Sequence, residues 1–193
     1  AKDNSSRIML YVILALLPTT AFGIWNFGFH ALLVVLVTVI SSVFFEWLYD
    51  RLMHKKNTIT DFSAVVTGLL LALNMPPQIP LWMPVLGSAF AIIVVKQLFG
   101  GLGQNFMNPA LAGRCFLMIS FAAKMTDFSV SDSYRGVLDT VTGATPLAAL
   151  KKQGFVAASS IPVKDLFIGN IQGTIGETSA LAILIGAVIL LAF

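Results

Sequence analysis

The sequence predicts an all-α, polytopic transmembrane protein, and three observations indicate this class. Hydrophobic residues make up 57% of the 193 residues and charged residues only 11%, whereas soluble domains carry about 25% charged residues. Apolar runs that approach the roughly 20 residues needed to cross a bilayer recur along the whole chain. None of these runs alternates like a barrel strand, and backbone groups in lipid must hydrogen-bond internally, so each run is expected to be a helix.

Six apolar segments follow one another along the chain. They are residues 7–27, which include Pro18, then 30–50, 59–73, 81–99 and 109–123, and a last one that begins near residue 178 and is still apolar at residue 193. We therefore expect further spans in the full protein. Segments 59–73 and 109–123 are short for a span. Short spans often line a site in transporter-like folds, although both segments could instead borrow flanking residues.

The basic residues predict the orientation of these segments and divide the chain into three parts. The turns at 28–29 and 74–80 contain no Lys or Arg, so the opposite, basic side is predicted to be cytoplasmic, together with the N-terminus. Residues 1–123 then form five spans, 124–177 an extracytoplasmic loop, and 178–193 the start of a sixth helix. The net charge of +3 is spread over helix ends and loops, so it indicates no nucleic-acid partner. The residues assigned to the basic side are Lys2, Arg7, Arg51, Lys55, Lys56, Lys96 and Arg114.

The predicted outer loop contains a small polar stretch at 139–154. Thr145 suits a helix N-cap, Pro146 the first helical position and Gly154 the helix end, so a short helix over 145–154 is expected. Capping is the simplest role for Thr145. The same geometry places its hydroxyl at the positive end of a helix, which favours a phosphate.

The predicted cytoplasmic loop at 100–109 is rich in glycine and asparagine. Its three glycines let the backbone approach a ligand closely. Asn108 and Pro109 read as the N-cap and first residue of the fifth helix. The amides of Asn105 and Asn108 each offer a donor and an acceptor, which suit the imide edge or ribityl hydroxyls of a flavin. The alternative is that Asn108 only caps the helix and Asn105 only closes a turn.

The remaining charged residues of interest lie near the predicted cytoplasmic side. Glu46 and Asp50 are one helical turn apart near Arg51 and Lys55, and Asp61 opens the third segment, where a carboxylate suits the helix dipole. Lys96 is one turn from the end of the fourth segment and is expected to snorkel. Interfacial ion pairing is the prediction for this group, with an ion pathway as the alternative.

A resemblance to known proteins now adds to these patterns. The residues Asp139, Thr142, Gly143, Ala144 and Thr145 match the D-x-x-[S/T]-G-A-[S/T] acceptor pattern of bacterial flavin transferases, which join FMN through its phosphate to the last hydroxyl. The chain resembles the RnfD family, the D subunits of the Rnf complexes, which are ion-pumping ferredoxin:NAD⁺ oxidoreductases. It is similar, less closely, to the B subunits of the Na⁺-pumping NADH:quinone oxidoreductases. Besides the acceptor loop, the similarity covers Ser6-Arg7-Ile8-Met9-Leu10, Ala15-Leu16-Leu17-Pro18, Leu73-Asn74-Met75-Pro76-Pro77 and the stretch 96–105.

The resemblance implies a fold, cofactors and partners. The fold would be ten helices in two inverted halves, as in urea and ammonium channels, with this chain supplying the first half and the start of the second. FMN would be covalently attached to Thr145, and a non-covalent riboflavin would contact Asn105 and Asn108. The partners would be the other Rnf subunits, a flavin transferase and the lipid bilayer of a bacterial or archaeal cell membrane.

The implied function is electron transfer that drives Na⁺ or H⁺ movement, with the flavins performing the redox chemistry and no catalytic side chain or metal site. Two alternatives stay open. One is the B subunit of the quinone reductase, and the other is a colourless channel or transporter of a small solute without any cofactor.

Overall fold

The fold opens with two long antiparallel helices. The structure is a computed structural model that describes residues 4–55, 58–128 and 162–192, and also Leu147, Leu150 and Lys151. Helix α1 is Ser5–Phe27 and helix α2 is Phe29–Leu52, joined at Gly28 with a φ of 80°. Both are long and apolar enough to cross a membrane by length and composition. The first two predicted segments are thus confirmed, with ends that extend by one or two residues.

The third segment is broken rather than continuous. A 3-10 turn at Ile59–Asp61 is followed by helix α3, Ser63–Leu73, and Phe62 between them has a left-handed φ of 61°. The prediction of one helix over 59–73 is therefore wrong. The 11 residues of α3 rise about 16 Å, roughly half of the 30 Å hydrocarbon thickness of a bilayer. The segment is short in fact and does not borrow flanking residues.

The fourth segment has the predicted extent but changes its winding halfway. Helix α4, Trp82–Ala89, continues into a π-helix at Phe90–Gln97, with right-handed helical dihedrals at the junction. We call residues 90–97 the π segment. A π-helix is rare in proteins, and where one occurs it is often at a functional site.

The rest of the described chain adds four helices. Helix α5, Pro109–Ser120, ends at Phe121, and a single turn, α6, follows at Ala122–Met125. Further along lie α7, Val163–Ile168, and α8, Ala180–Ala192. The predicted sixth segment corresponds to α8, whereas α7 was not predicted. Of the helix predicted over 145–154, Leu147, Leu150 and Lys151 are helical and the other residues lie outside the described part.

Helix α3 packs against α1 and α2, and α8 packs along α1. Small residues permit these close crossings. A Cβ added at Gly68 in α3 would lie 2.9 Å from Val39 Cα in α2, and one added at Gly186 in α8 would lie 2.2 Å from the Ala15 carbonyl oxygen in α1. Membrane helix pairs use small residues in this way because the backbones can then approach.

The side chains of Arg114 and Lys96 lie apart from each other in the structure. Its Nη1 donates to Asn74 Oδ1 at 2.6 Å, next to the C-terminal end of α3, and to Glu177 Oε1 at 3.2 Å. Lys96, by contrast, contacts Ser63 at the N-terminal end of α3. Arg114 and Lys96 therefore lie at opposite ends of this helix. The side chain of Arg114 extends from α5 towards residue 74, and because α3 is only half as long as a span, the grouping of Arg114 with Lys96 on one side of the membrane stays a prediction.

Candidate functional site

A polar cavity lies where the N-terminal end of α3, the π segment and the loop 98–108 meet. Its volume is about 140 Å³. Apolar side chains from α1, α3 and the loop complete its walls. Ligand pockets usually measure roughly 300–1,000 Å³, so this cavity fits one end of a cofactor rather than a whole one. The polar residues that line it are Ser63, Thr67, Lys96, Asn105 and Asn108.

Asn108 caps helix α5, as the sequence predicts. Its side-chain Oδ1 accepts from the Ala110 N–H at 2.9 Å and from the Leu111 N–H at 3.3 Å, and Pro109 occupies the first helical position. The cap fixes the direction in which α5 leaves the cavity. Capping engages the side-chain oxygen, and the contact of Asn108 with a flavin stays a prediction.

Asn105 does more than close a turn. Its Nδ2 donates to the Met107 carbonyl at 3.2 Å, which is the predicted turn contact. Its Oδ1 is buried and has no hydrogen-bond partner among the described residues. A buried acceptor without a partner costs about 1–3 kcal/mol, so such an atom beside a cavity indicates a missing donor. The imide N–H of a flavin is a donor of the required kind, and the residues present therefore fit one edge of this cofactor.

The glycines of the loop set its course out of the π segment. Gly100, Gly101 and Gly103 all have a positive φ, of 115°, 94° and 83°. The N–H of Gly101 donates to the Lys96 carbonyl at 3.0 Å and the N–H of Gly100 to the Gln97 carbonyl at 3.2 Å. Residues with a Cβ rarely adopt this conformation. Glycine is thus required by the backbone at these positions, and close approach to a ligand stays a prediction.

A buried ion pair forms one side of the cavity. Lys96 Nζ lies 2.8 and 2.9 Å from the two carboxylate oxygens of Glu46 and 2.5 Å from Ser63 Oγ. Lys96 is only 2% exposed and Glu46 is fully buried. The prediction that Lys96 snorkels is therefore wrong, because its ammonium binds a carboxylate inside the helix packing. Glu46 pairs with Lys96 of the π segment rather than with the nearby basic residues of its own helix end.

Neutral donors complete the surroundings of the Glu46 carboxylate. Gln97 Nε2 donates to Glu46 Oε1 at 3.1 Å. Thr58 Oγ1 lies 2.6 Å from Glu46 Oε1 and 3.0 Å from Asp50 Oδ2. The single hydroxyl proton of Thr58 is therefore shared between the two carboxylates. The Thr58 N–H donates to Asp50 Oδ2 at 2.9 Å, and Asp50 Oδ1 is buried without a partner among the described residues.

Asp61 extends this network towards the surface. Its half-buried carboxylate accepts from the Ser63 N–H at 2.8 Å and from the Ser63 hydroxyl, so it satisfies the first backbone donor of α3, at the helix end where the sequence predicts a favourable carboxylate. The Ser63 hydroxyl thus donates to Asp61 and accepts from Lys96. The polar residues of the cavity are linked by hydrogen bonds from the buried pair to the half-buried carboxylate of Asp61.

Ser63 and Thr67 are residues of the cavity that the sequence did not point to, whereas Lys96 was singled out but not assigned to this site. One signal was present, because a lysine inside an apolar span is expected to serve a function and to have a partner. The partner, Glu46, is 50 residues away in the sequence, and only the tertiary packing identifies it.

The predicted FMN acceptor residues cannot be placed relative to this cavity. They lie outside the described part of the chain, so their role stays a prediction. These residues are Asp139, Thr142, Gly143, Ala144 and Thr145.

A larger groove, of about 360 Å³, runs between α1, α3 and α8. Its lining is almost wholly apolar, with Thr19, Asn74 and Glu177 as the polar exceptions. It offers few groups that could orient a polar ligand, so volume alone does not make it the candidate site.

The fold and the cavity define an all-helical protein with spans suited to a membrane and a polar site at the end of a half-length helix. The chain belongs to the NQR2, RnfD, RnfE family, whose model matches residues 1–193. This membership implies a membrane location. It also confirms the resemblance found in the sequence.

Three relatives are similar over nearly the whole chain. The chain is 50% identical to the D subunit of the Na⁺-translocating ferredoxin:NAD⁺ oxidoreductase complex of Acetobacterium woodii, over 99% of this chain and 59% of the relative. It is 43% identical to the D subunit of the proton-translocating ferredoxin:NAD⁺ oxidoreductase complex of Clostridium ljungdahlii, over 98% of this chain and 58% of the relative. It is 34% identical to the D subunit of the ion-translocating oxidoreductase complex of Rhodobacter capsulatus, over 96% of this chain and 59% of the relative. The chain therefore spans less than two thirds of the length of these relatives.

Proposed function

We propose that this chain is part of the membrane-embedded D subunit of an Rnf-type complex that couples electron transfer between ferredoxin and NAD⁺ to ion pumping. The match of the family model to all 193 residues carries the proposal. The similarity to three proteins named for ion translocation supports it. The partners are the other subunits of the complex, and the architecture is a ten-helix inverted repeat in which these residues form the first half.

The proposed cofactors are two flavins. FMN is attached to Thr145 by a phosphoester, within the acceptor pattern at 139–145, by a dedicated flavin transferase. A second, non-covalent flavin, riboflavin, binds at the cavity of Asn105 and Asn108. The buried, unpaired Oδ1 of Asn105 supports this second site. When bound, flavin supplies the electron-transfer chemistry, while the protein fixes its position and electrostatic surroundings.

The proposed orientation has a cytoplasmic N-terminus and an extracytoplasmic loop at 124–177, so the two flavins lie near opposite faces of the membrane. Electron movement between them would then be coupled to Na⁺ or H⁺ movement. The relatives include one named for Na⁺ and one named for protons, at 50% and 43% identity. Both ions are therefore compatible with the proposal.

The covalent flavin provides the decisive test. The full-length protein, produced by a host with an active flavin transferase, is denatured and separated on a gel. We expect flavin fluorescence on its band. Mass spectrometry of the peptide that contains Thr145 should show the mass of FMN less one water, because the ester forms with loss of water. A band without fluorescence and an unmodified Thr145 would contradict the proposal and favour a cofactor-free channel or transporter.

Two variants at the same position sharpen this test. Thr145→Ala removes the hydroxyl, so the band should lose its fluorescence and ferredoxin-dependent ion pumping by the complex should be lost. Thr145→Ser is the matched control, since the acceptor pattern accepts either hydroxyl, and it should retain the flavin. Ion pumping that persists in flavin-free Thr145→Ala would refute a role of this FMN in coupling.

A further inference from the structure

We propose that the Lys96–Glu46 ion pair sets the reduction potential of the flavin bound at the cavity of Asn105 and Asn108, with Lys96 as a positioning residue. This inference rests on the second flavin of the function proposed above. It adds Lys96 to that site and assigns to its positive charge an effect on the reduction potential whose direction can be tested.

The two members of the ion pair differ in their relation to the cavity. Lys96 lines the cavity and its ammonium contacts Ser63, a second lining residue, whereas Glu46 is not among the described lining residues. Among the described lining residues, Lys96 carries the only formal charge. A ligand at this place therefore lies beside Lys96 and not beside Glu46, and the lysine charge acts on it together with the charge of the Asp61 carboxylate, which binds the lining residue Ser63.

Three contacts hold the ammonium in a fixed position. An ammonium has three protons, and Lys96 Nζ has three oxygen atoms within hydrogen-bond distance, two from Glu46 and one from Ser63. Ser63 is itself held, because its hydroxyl donates to Asp61. Glu46 is held in turn by Gln97 and Thr58. A charge restrained in this way need not reorganise when the charge of a neighbouring ligand changes.

The physical consequence is a bias between two charge states of the ligand. Electrons added to an isoalloxazine increase its negative charge, and a cation at the rim of a cavity inside the protein attracts that charge more strongly than the same cation would in water. Lys96 should therefore make the reduced flavin bind more tightly relative to the oxidised flavin. Glu46 should act in the opposite direction, although more weakly because it is not among the described residues that line the cavity.

The test uses the full-length protein in its complex, purified from native membranes. Non-covalent flavin is extracted and counted, and its midpoint potential is measured by redox titration of the complex. Lys96→Gln should weaken the binding of reduced flavin relative to oxidised flavin at least tenfold. For a two-electron couple, a tenfold change corresponds to a midpoint potential lowered by about 30 mV. Glu46→Gln should raise the potential. Lys96→Arg should retain the wild-type value, because it keeps the charge.

The matched control is Lys55→Gln. Lys55 is an exposed lysine that lies over the Tyr49 ring, close in sequence to Asp50 and away from the cavity lining. Its removal changes the net charge by the same amount and should leave the potential unchanged. A purely structural role of the ion pair predicts shifts of the same sign for Lys96→Gln and Glu46→Gln. Shifts of the same sign would therefore overturn the inference.

The other outcomes separate this inference from the function it rests on. If the wild-type complex yields no extractable flavin, the second flavin of the proposed function fails, and this inference fails with it. If the wild type carries that flavin and Lys96→Gln keeps both its content and its potential, only this inference fails. Should Lys96→Gln not assemble, the double variant with Glu46→Gln leaves no unpaired charge, and a potential that is lowered, but by less than the single variant predicts, is expected; an unchanged or raised potential would overturn the inference.

Discussion

The Lys96–Glu46 pair also makes a measurable prediction about stability. The Glu46 side chain is fully buried and that of Lys96 is 3% exposed, so neither charge is solvated. Lys96→Met leaves the Glu46 carboxylate with only the neutral donors Gln97 and Thr58. Removing one partner of a buried pair costs about 3–5 kcal/mol, whereas replacing both partners is often close to neutral. We therefore expect Lys96→Met to lower the free energy of unfolding by about 3–5 kcal/mol. Adding Glu46→Gln should recover at least half of this loss.

The assay is a double-mutant cycle on the full-length protein, unfolded in mixed detergent micelles. Contacting residues in one network typically show coupling energies of about 0.5–3 kcal/mol, and this pair should lie in the upper half of that range. Glu177→Gln is the matched control, because its partner Arg114 is 27% exposed and Glu177 itself is 56% exposed. Exposed pairs contribute about 0–1 kcal/mol. If the effects of the two buried substitutions add to within about 0.5 kcal/mol, as they do for independent sites, the energetic coupling between Lys96 and Glu46 is refuted.

Three further predictions concern the helix cap, the helix crossing and the orientation. Asn108→Ala should lower the free energy of unfolding by about 1 kcal/mol, since it removes the cap of α5, whereas Asn108→Asp should retain most of the stabilisation that the cap provides. Equal free energies of unfolding for the two variants would contradict the capping role. Gly186→Val should destabilise the protein by about 1–3 kcal/mol, because its Cβ would overlap the Ala15 carbonyl, whereas Val188→Ala at an exposed position of α8 should change little. Cysteines introduced at residues 55 and 164 of a cysteine-free variant should react with an impermeant maleimide from opposite sides of the membrane. Residue 164 should react in intact cells and residue 55 only in inverted vesicles. The reverse pattern would overturn the proposed orientation.

The sequence predicts the long helices well and the broken ones poorly. Helices α1 and α2 lie in uninterrupted apolar runs, so their ends are found within two residues. The break at Phe62 was missed because an aromatic residue in an apolar run carries no signal for a left-handed conformation. The π segment was missed for a similar reason. Its residue types do not distinguish a π-helix from an α-helix.

The candidate site divides in the same way between local and distant interactions. The cap at Asn108 and the turn at Asn105 involve neighbours two or three residues away, so residue types alone predict both. The pairing of Lys96 with Glu46 joins two helices and depends on their register, which no local pattern encodes. An apparent interfacial lysine therefore proved to be a buried one. The contact of Arg114 with Asn74 likewise joins residues that are distant in the sequence and depends on packing.

The half-length helix α3 explains why polar groups gather at two places in an otherwise apolar protein. A helix of 11 residues within a bilayer leaves at least one terminus away from water, and its terminal backbone groups need protein partners. At the C-terminal end, the Gly176 N–H donates to the Leu73 carbonyl at 2.8 Å. At the N-terminal end, Asp61 binds the Ser63 N–H, and the ammonium of Lys96 lies beside the Ser63 hydroxyl. The positive end of the helix dipole therefore meets the carboxylate of Asp61, and the lysine charge meets that of Glu46. Shortening the span thus brings charged and polar groups together beside the cavity.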